Sequence, residues 1–208
     1  MKSDPRSNVD HLLPLVMNAP RQGTRRVVAI AGPPASGKST LAEALVAALN
    51  GAGCATQLVP MDGFHLDNRI LSERGLLNRK GAPETFDAEG LLRLVGLLGS
   101  DLDLYYPVFD RALDLSIAGA GYISPQTDTI VIEGNYLMMQ APIWADMETH
   151  WDLSISITCP PDVLEERLIQ RWLDHGLAED AARARAEEND LPNARLIAAS
   201  MGPADVTL

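Results

Sequence analysis

Residues 27–49 constrain the fold more than any other stretch of the chain. Val27-Val28-Ala29-Ile30-Ala31 is an unbroken apolar run, the pattern of a strand buried on both faces of a parallel sheet. A glycine- and proline-rich segment follows, and then Leu41, Leu45 and Leu49 recur at helical spacing. That spacing predicts a helix over Ser39–Leu49, with Asn50-Gly51 as its stop signal. Strand, glycine loop and helix in this order make the first unit of a doubly wound α/β fold.

The rest of the chain extends the pattern. Further strands are expected at Thr56–Met61, Thr129–Glu133 and Asp152–Thr158, with weaker ones at Arg195–Ala199 and Val206–Leu208. Asp87 is a plausible N-cap for a helix to Leu98, with Leu91, Leu94, Val95 and Leu98 on one face. After Cys159-Pro160-Pro161 one helix is expected to about Asp174 and a second over roughly Ala178–Glu188. A short amphipathic helix is expected near the N-terminus, around Leu12, Leu15 and Val16. Its 208 residues suit one compact domain, 1–208, read as a three-layer, doubly wound, mostly parallel sheet with a helical lid at about 161–190. Aromatics make up only 5% of the residues, so the core must be aliphatic.

Charge removes several classes of partner. Lys plus Arg is 17 and Asp plus Glu is 28, a formal net charge of −11. Nucleic acid and anionic lipid both call for a basic surface, so neither is an expected partner. The N-terminal segment has no unbroken apolar stretch, and no run approaches the ~18 apolar residues of a membrane helix. Cys54 and Cys159 form no CxxC pair and read as free thiols of a cytoplasmic protein. A homodimer is compatible with the sequence.

Gly32-Pro33-Pro34-Ala35-Ser36-Gly37-Lys38-Ser39 has the phosphate-loop spacing GxxxxGK[ST], and Thr40 follows. Such glycines let successive N–H groups turn toward a phosphate, and the helix start adds its positive dipole end. Lys38 can reach the β- and γ-phosphates and the Ser39 hydroxyl can ligate Mg²⁺. Position between a strand-like and a helix-like run is the context that separates this motif from a chance glycine turn. The nucleotide is read as ATP, because Asn78-Arg79-Lys80-Gly81 does not fit the NKxD-type motif of guanine readers.

Two expected strand ends carry acids, at Met61-Asp62-Gly63-Phe64-His65 and Ile132-Glu133-Gly134-Asn135. Ligands of open α/β sheets sit at the carboxyl ends of strands. Asp62 is assigned as the base accepting the proton of an attacking hydroxyl, and also to the metal shell. Glu133 is assigned to the metal or to a substrate hydroxyl. The glycine after each acid is read as room for a ligand. An isolated acid here would simply cap a turn, and the neighbouring phosphate loop favours function. His65 reads equally well as a substrate contact or as a satisfied loop histidine.

Tyr105-Tyr106-Pro107-Val108-Phe109-Asp110-Arg111 concentrates aromatics in a chain poor in them. It reads as a substrate loop, with Tyr106, Asp110 and Arg111 as contacts, or as a hydrophobic loop packed on the sheet. Arg167 and Arg171 share a helix face. Arg171 is read as a lid arginine that neutralises a moving phosphoryl group, against the alternative of surface pairing with Asp162, Glu165 or Glu166. Asn189–Asn193 reads as a turn that could touch the adenine.

In this order GPPASGKST, MDGFH, YYPVFDR, VIEGNY and the RLIQRW helix resemble the phosphoribulokinase/uridine kinase/pantothenate kinase group of P-loop kinases. The resemblance spans nearly everything after residue 24. It implies the P-loop nucleoside triphosphate hydrolase fold and an ATP- and Mg²⁺-dependent kinase acting on a small-molecule alcohol, with Asp62 at the catalytic acid's position and Arg171 at a lid arginine's. MDGFHLDN, RKGAPETFDAEGL and ENDLPNA are most similar to a bacterial subgroup described as fructose-transport-associated kinases, which implies a sugar acceptor. Gln170 and Trp172 interrupt the RRxxRD-like lid string of uridine kinases. A pantothenate or nucleoside kinase is the alternative enzyme, and an ATP-binding regulatory switch the alternative of another class.

Overall fold

A computed structural model describes residues 5–208. Its centre is a five-stranded parallel sheet in the order β2-β5-β1-β6-β7. The strands are β1 (Arg26–Ala31), β2 (Thr56–Pro60), β5 (Thr129–Gly134), β6 (Leu153–Ser156) and β7 (Val206–Thr207). Every residue of β1 and β5 is buried, which is why both read as continuous apolar runs and not as alternating ones.

The alternation instead sorts side chains between two layers. Val28, Ile30 and Val131 join Leu12 and Val16 of α1 (Pro5–Asn18) and Leu41, Leu45 and Leu49 of α2 (Lys38–Gly51). Val27, Ala29, Ile130 and Ile132 face the other way, onto Leu91, Leu94, Val95 and Leu98 of α4 (Ala88–Leu98). The helix face read for α4 is the buried one, and Asp87 caps it by accepting from Gly90 N at 2.8 Å. This is a three-layer α/β sandwich.

Registers Ile30↔Glu133 and Pro60↔Glu133 align the carboxyl ends of β1, β5 and β2. The phosphate loop, Glu133 and a short 3₁₀ turn, Met61–Phe64, therefore emerge along one sheet edge. A six-residue helix, α3 (Asn68–Glu73), follows that turn.

Three expectations change. Tyr105–Arg111 is not a loop: it lies mostly in β3 (Leu104–Asp110), paired antiparallel with β4 (Leu115–Ile123) in a hairpin. Arg195–Ala199 is helical, within α7 (Leu191–Ser200), where Ile197 is buried against the sheet. Asn189–Asn193 is not a turn: a π-helical segment, Ala186–Asp190, leads into α7 without a break. The region read as a lid consists of α5 (Pro161–Asp174), α6 (Glu179–Arg185) and this π segment. A small apolar cluster ties it to α7 and the phosphate loop: Leu164, Leu168 and Ala186 meet Leu191 and Ala194, with Ala35 packed against them.

The glycines after the two acids make room for protein, not ligand. A Cβ on Gly63 would stand 1.9 Å from Pro107 O, and one on Gly134 would stand 2.5 Å from the Met61 Cβ. Gly63 thus lets the Asp62 turn lie directly on β3. Gly63→Ala is expected to destabilise the protein by about 3 kcal/mol, read as a lowered midpoint in denaturant unfolding; an unchanged midpoint would refute this close approach.

Candidate active site

A cavity of about 810 Å³ opens at the carboxyl edge of the sheet. Pro34, Ala35, Gly37, Lys38, Ser39 and Thr40 form one wall. Gly32, Pro33 and Ser36 are not on its surface: a Cβ on Gly32 would meet Ile157 O at 2.9 Å, so this glycine seats the loop against the residue that follows β6. Gly37 adopts a left-handed backbone, φ 96°, immediately before α2, which glycine takes without strain.

At the cavity floor Ser39 Oγ donates to Glu133 Oε2 at 3.1 Å, and Lys38 Nζ stands 4.0 Å from the same oxygen. Glu133 is only 6% exposed. Burial pushes its carboxyl above the usual range, an effect that nearby Lys38 opposes. Glu133 meets the site through Ser39 and Lys38 and is not itself on the cavity surface, so its reading as a substrate-hydroxyl partner gives way to the metal side. A hydroxyl and a carboxylate in contact, with Asp62 on the same cavity, are the hard oxygen donors that suit Mg²⁺. Ser39 and Glu133 would hold the ion, directly or through water, with phosphate oxygens completing the shell.

Across from the loop stands Asp62, whose Oδ2 accepts from Arg111 at 3.2 Å. Arg111 projects from the turn of the hairpin, so an ion pair joins the acid to the hairpin. His65 packs between Phe86 and Phe109, at 4.1 and 4.7 Å between ring centroids. Its Nδ1 is 2.8 Å from the Asp62 main-chain oxygen. A carbonyl only accepts, so this nitrogen carries the proton and Nε2 is left with a lone pair. Burial lowers the imidazole pKa and favours that neutral form.

Two predicted contacts lie elsewhere. Tyr106 is 3% exposed. Its hydroxyl donates to Leu58 O at 2.8 Å and accepts from Gln57 at 3.1 Å, which ties the hairpin to β2. Asp110 Oδ1 accepts from Ala112 N and Leu113 N, both at 2.9 Å, and so caps the hairpin turn. In a strand, neighbouring side chains point to opposite faces; Phe109 and Arg111 line the cavity, and Tyr106 and Asp110 do not.

Arg171 and Trp172 close the far side, with the Arg171 guanidinium 5.7 Å from the indole centroid. Arg167 takes a role the sequence did not show: its Nη1 donates to Ala35 O and Ser36 O at 3.3 and 3.4 Å, bracing the phosphate loop. Neither arginine pairs with Asp162, Glu165 or Glu166 among the described residues. Lys80, Phe86, Asn135, Arg185, Asp190 and Asn193 also line the cavity; none was assigned as a contact, though Asp190 and Asn193 lie in the stretch read as able to touch the adenine. Lys80 and Phe86 lie in RKGAPETFDAEGL, Asn135 in VIEGNY, and Asp190 and Asn193 in ENDLPNA, so only Arg185 falls outside the stretches that carry the resemblance. Burial raises the Asp190 carboxyl pKa, opposed by the hydrogen bond it accepts from Trp172.

A phosphate loop facing a carboxylate across one cavity, with an aromatic-lined recess beside that carboxylate, defines a P-loop phosphotransferase for small molecules. Comparison with known proteins narrows the class. No family profile matches the chain. A solved structure of a proposed fructose transport system kinase from Silicibacter sp. TM1040 is 52% identical, covers 99% of this chain and 98% of that one, and superposes with a TM-score of 0.91. A candidate uridine kinase, C227.14, of Schizosaccharomyces pombe is 30% identical over 212 residues, 97% of this chain and 90% of that protein. The pantothenate kinase of Enterococcus faecalis is 31% identical over 150 residues, 70% of this chain but 49% of that enzyme. The chain belongs to the phosphoribulokinase/uridine kinase/pantothenate kinase group of P-loop kinases and is an ATP-dependent small-molecule kinase.

Proposed function

We propose that the protein phosphorylates a hydroxyl of a small polyhydroxylated acceptor, a sugar of the fructose type, and that residues 161–190 act as its lid. The observation that carries this reading is the Asp62–Arg111 pair, which places a carboxylate between the phosphate loop and the aromatic recess. The name of the Silicibacter relative and the interruption of the uridine-kinase lid string by Gln170 and Trp172 favour the sugar.

In the proposed step the acceptor oxygen attacks the γ-phosphorus in line. The new O–P bond forms as the bond from that phosphorus to the β,γ-bridging oxygen breaks, and ADP departs. Asp62 orients the hydroxyl and receives its proton. Lys38 and Arg171 lie where negative charge spreads over the transferring group. Ser39 and Glu133 would hold Mg²⁺, which would supply charge neutralisation for the phosphates. His65 Nε2 offers an acceptor to a second hydroxyl, and Phe109 and Phe86 face the carbon skeleton. The lid excludes water, which would otherwise compete for the phosphoryl group.

An ATP-consumption screen over hexoses and pentoses, pantothenate and nucleosides tests the reading. A sugar giving the highest kcat/KM supports it. A preference for pantothenate or a nucleoside transfers the machinery to that acceptor, and ATP hydrolysis that no alcohol accelerates makes the chain a switch. Arg171→Ala is expected to lower kcat by about 10²-fold with acceptor KM changed far less, since the interaction grows as charge develops. Equal kcat in variant and parent would leave Arg171 only its stacking on Trp172.

A further inference from the structure

Lys80 stands on the cavity wall, yet its ammonium is not free for a ligand. Nζ donates to Asn68 Oδ1 at 2.7 Å and to the main-chain oxygen of Asp114 at 2.8 Å, and it pairs with Asp114 Oδ1 at 2.8 Å. An ammonium has three protons, and three acceptors take them. The side chain is 10% exposed and lies over the Phe109 ring, 5.0 Å from its centroid.

The main chain of the same residue serves the opposite side of the cavity. Lys80 O accepts from Asn189 Nδ2 at 3.1 Å and from Arg185 at 3.5 Å, and Asn78 O accepts from Arg185 at 2.8 Å. Both donors belong to the α6–π segment of the lid. Asp114 occupies the hairpin turn in a left-handed conformation, φ 53°, which a non-glycine residue holds only against a conformational cost. Its carboxylate also accepts from Asn68 at 2.8 Å. Three residues before it, Arg111 reaches the Asp62 carboxylate.

We propose that Lys80 is a positioning residue that couples the lid to the acceptor hairpin. Its carbonyl registers where Arg185 and Asn189 sit, and its ammonium holds Asp114, hence the turn that carries Arg111 to Asp62. Nucleotide bound under the lid then orders the acceptor side of the cavity without touching it. A substrate-binding lysine would keep a proton for its ligand; this one has none to spare. The inference rests on reading residues 161–190 as a lid.

Hydrogen exchange of the full chain, with and without the magnesium complex of AMP-PNP, tests the coupling without any acceptor. In the parent, nucleotide is expected to slow exchange in residues 32–40 and 179–190, and also about tenfold in the hairpin turn, residues 110–116. Lys80→Met keeps the stem and removes the donors; the first two effects should persist and the third should vanish. Asp114→Asn leaves Lys80 in place and should weaken the third effect alone. Slowing at the turn that survives in both variants overturns the coupling, as does its absence in the parent while residues 32–40 are slowed. No slowing at residues 32–40 would overturn the nucleotide site, and the coupling with it.

Discussion

Asp62→Asn is expected to lower kcat by about 10²- to 10⁴-fold, the range for loss of a positioned general base, while ATP binds as in the parent. The amide matches the carboxylate in shape but cannot take a proton. It also leaves Arg111, held 3.2 Å from Oδ2, without its counter-charge, so acceptor KM should rise as well. Lys38 and Ser39 of the phosphate loop line the other wall, so with ATP bound there, as proposed, its affinity is expected to hold. Steady-state kinetics beside ATP titration by calorimetry separates these terms. A variant with the parent's kcat would exclude Asp62 as the base and return it to the turn-capping role that an isolated Asp-Gly would have.

Lys38→Ala is expected to weaken ATP binding by about 10-fold or more and to lower kcat by about 10²- to 10³-fold, the scale for removing one preorganised positive group from a phosphoryl-transfer site. A second effect comes from within the protein. Glu133 is 6% exposed and has Lys38 as its nearby cation, at 4.0 Å. Without it burial is opposed only by the Ser39 hydrogen bond and by Arg111, and the Glu133 carboxyl pKa moves further up. The protonated acid then holds Mg²⁺ poorly, and the metal concentration needed for half-maximal rate should rise most at the acidic end of the pH range. Normal ATP titration of this variant, with the metal requirement unchanged, would refute the assignment of the phosphate loop.

Much of the fold was legible because the sheet is parallel and covered on both sides. Strands in that setting show as apolar runs, and β1 and β5 did. The acids were legible because chain order places loops at the carboxyl ends of such strands, whatever the side chains do. The hairpin was not. Its second strand, Leu115–Ile123, is exposed over Ile117–Ala120, and its register slips opposite Pro107, so neither an apolar run nor strict alternation marks it. Tyr106 and Asp110 were misplaced for the same reason: read as loop residues they have no face, whereas in a strand they point away from the cavity that Phe109 lines. Arg195–Ala199 consists of good helix formers, Arg, Leu and Ala, with only Ile197 favouring a strand, so the observed helix agrees with local propensity as well as with the burial of Ile197.

Local order along the chain was enough to establish a nucleotide-phosphate loop, two acids beside it and a three-layer architecture, since each depends on spacing and periodicity within a few tens of residues; the expected aliphatic core holds only on the α1–α2 side, because Phe64, Phe86, Tyr106, Tyr136, Trp144 and Trp151 are buried on the α4 side. Long-range contact assigned the remainder. That Gly63 seats the hairpin, that Arg167 braces the phosphate loop from 131 residues away, and that Lys80 joins two walls of the cavity are matters of which surfaces meet. No pattern within one segment encodes the partner of a side chain that finds it only when the chain has closed.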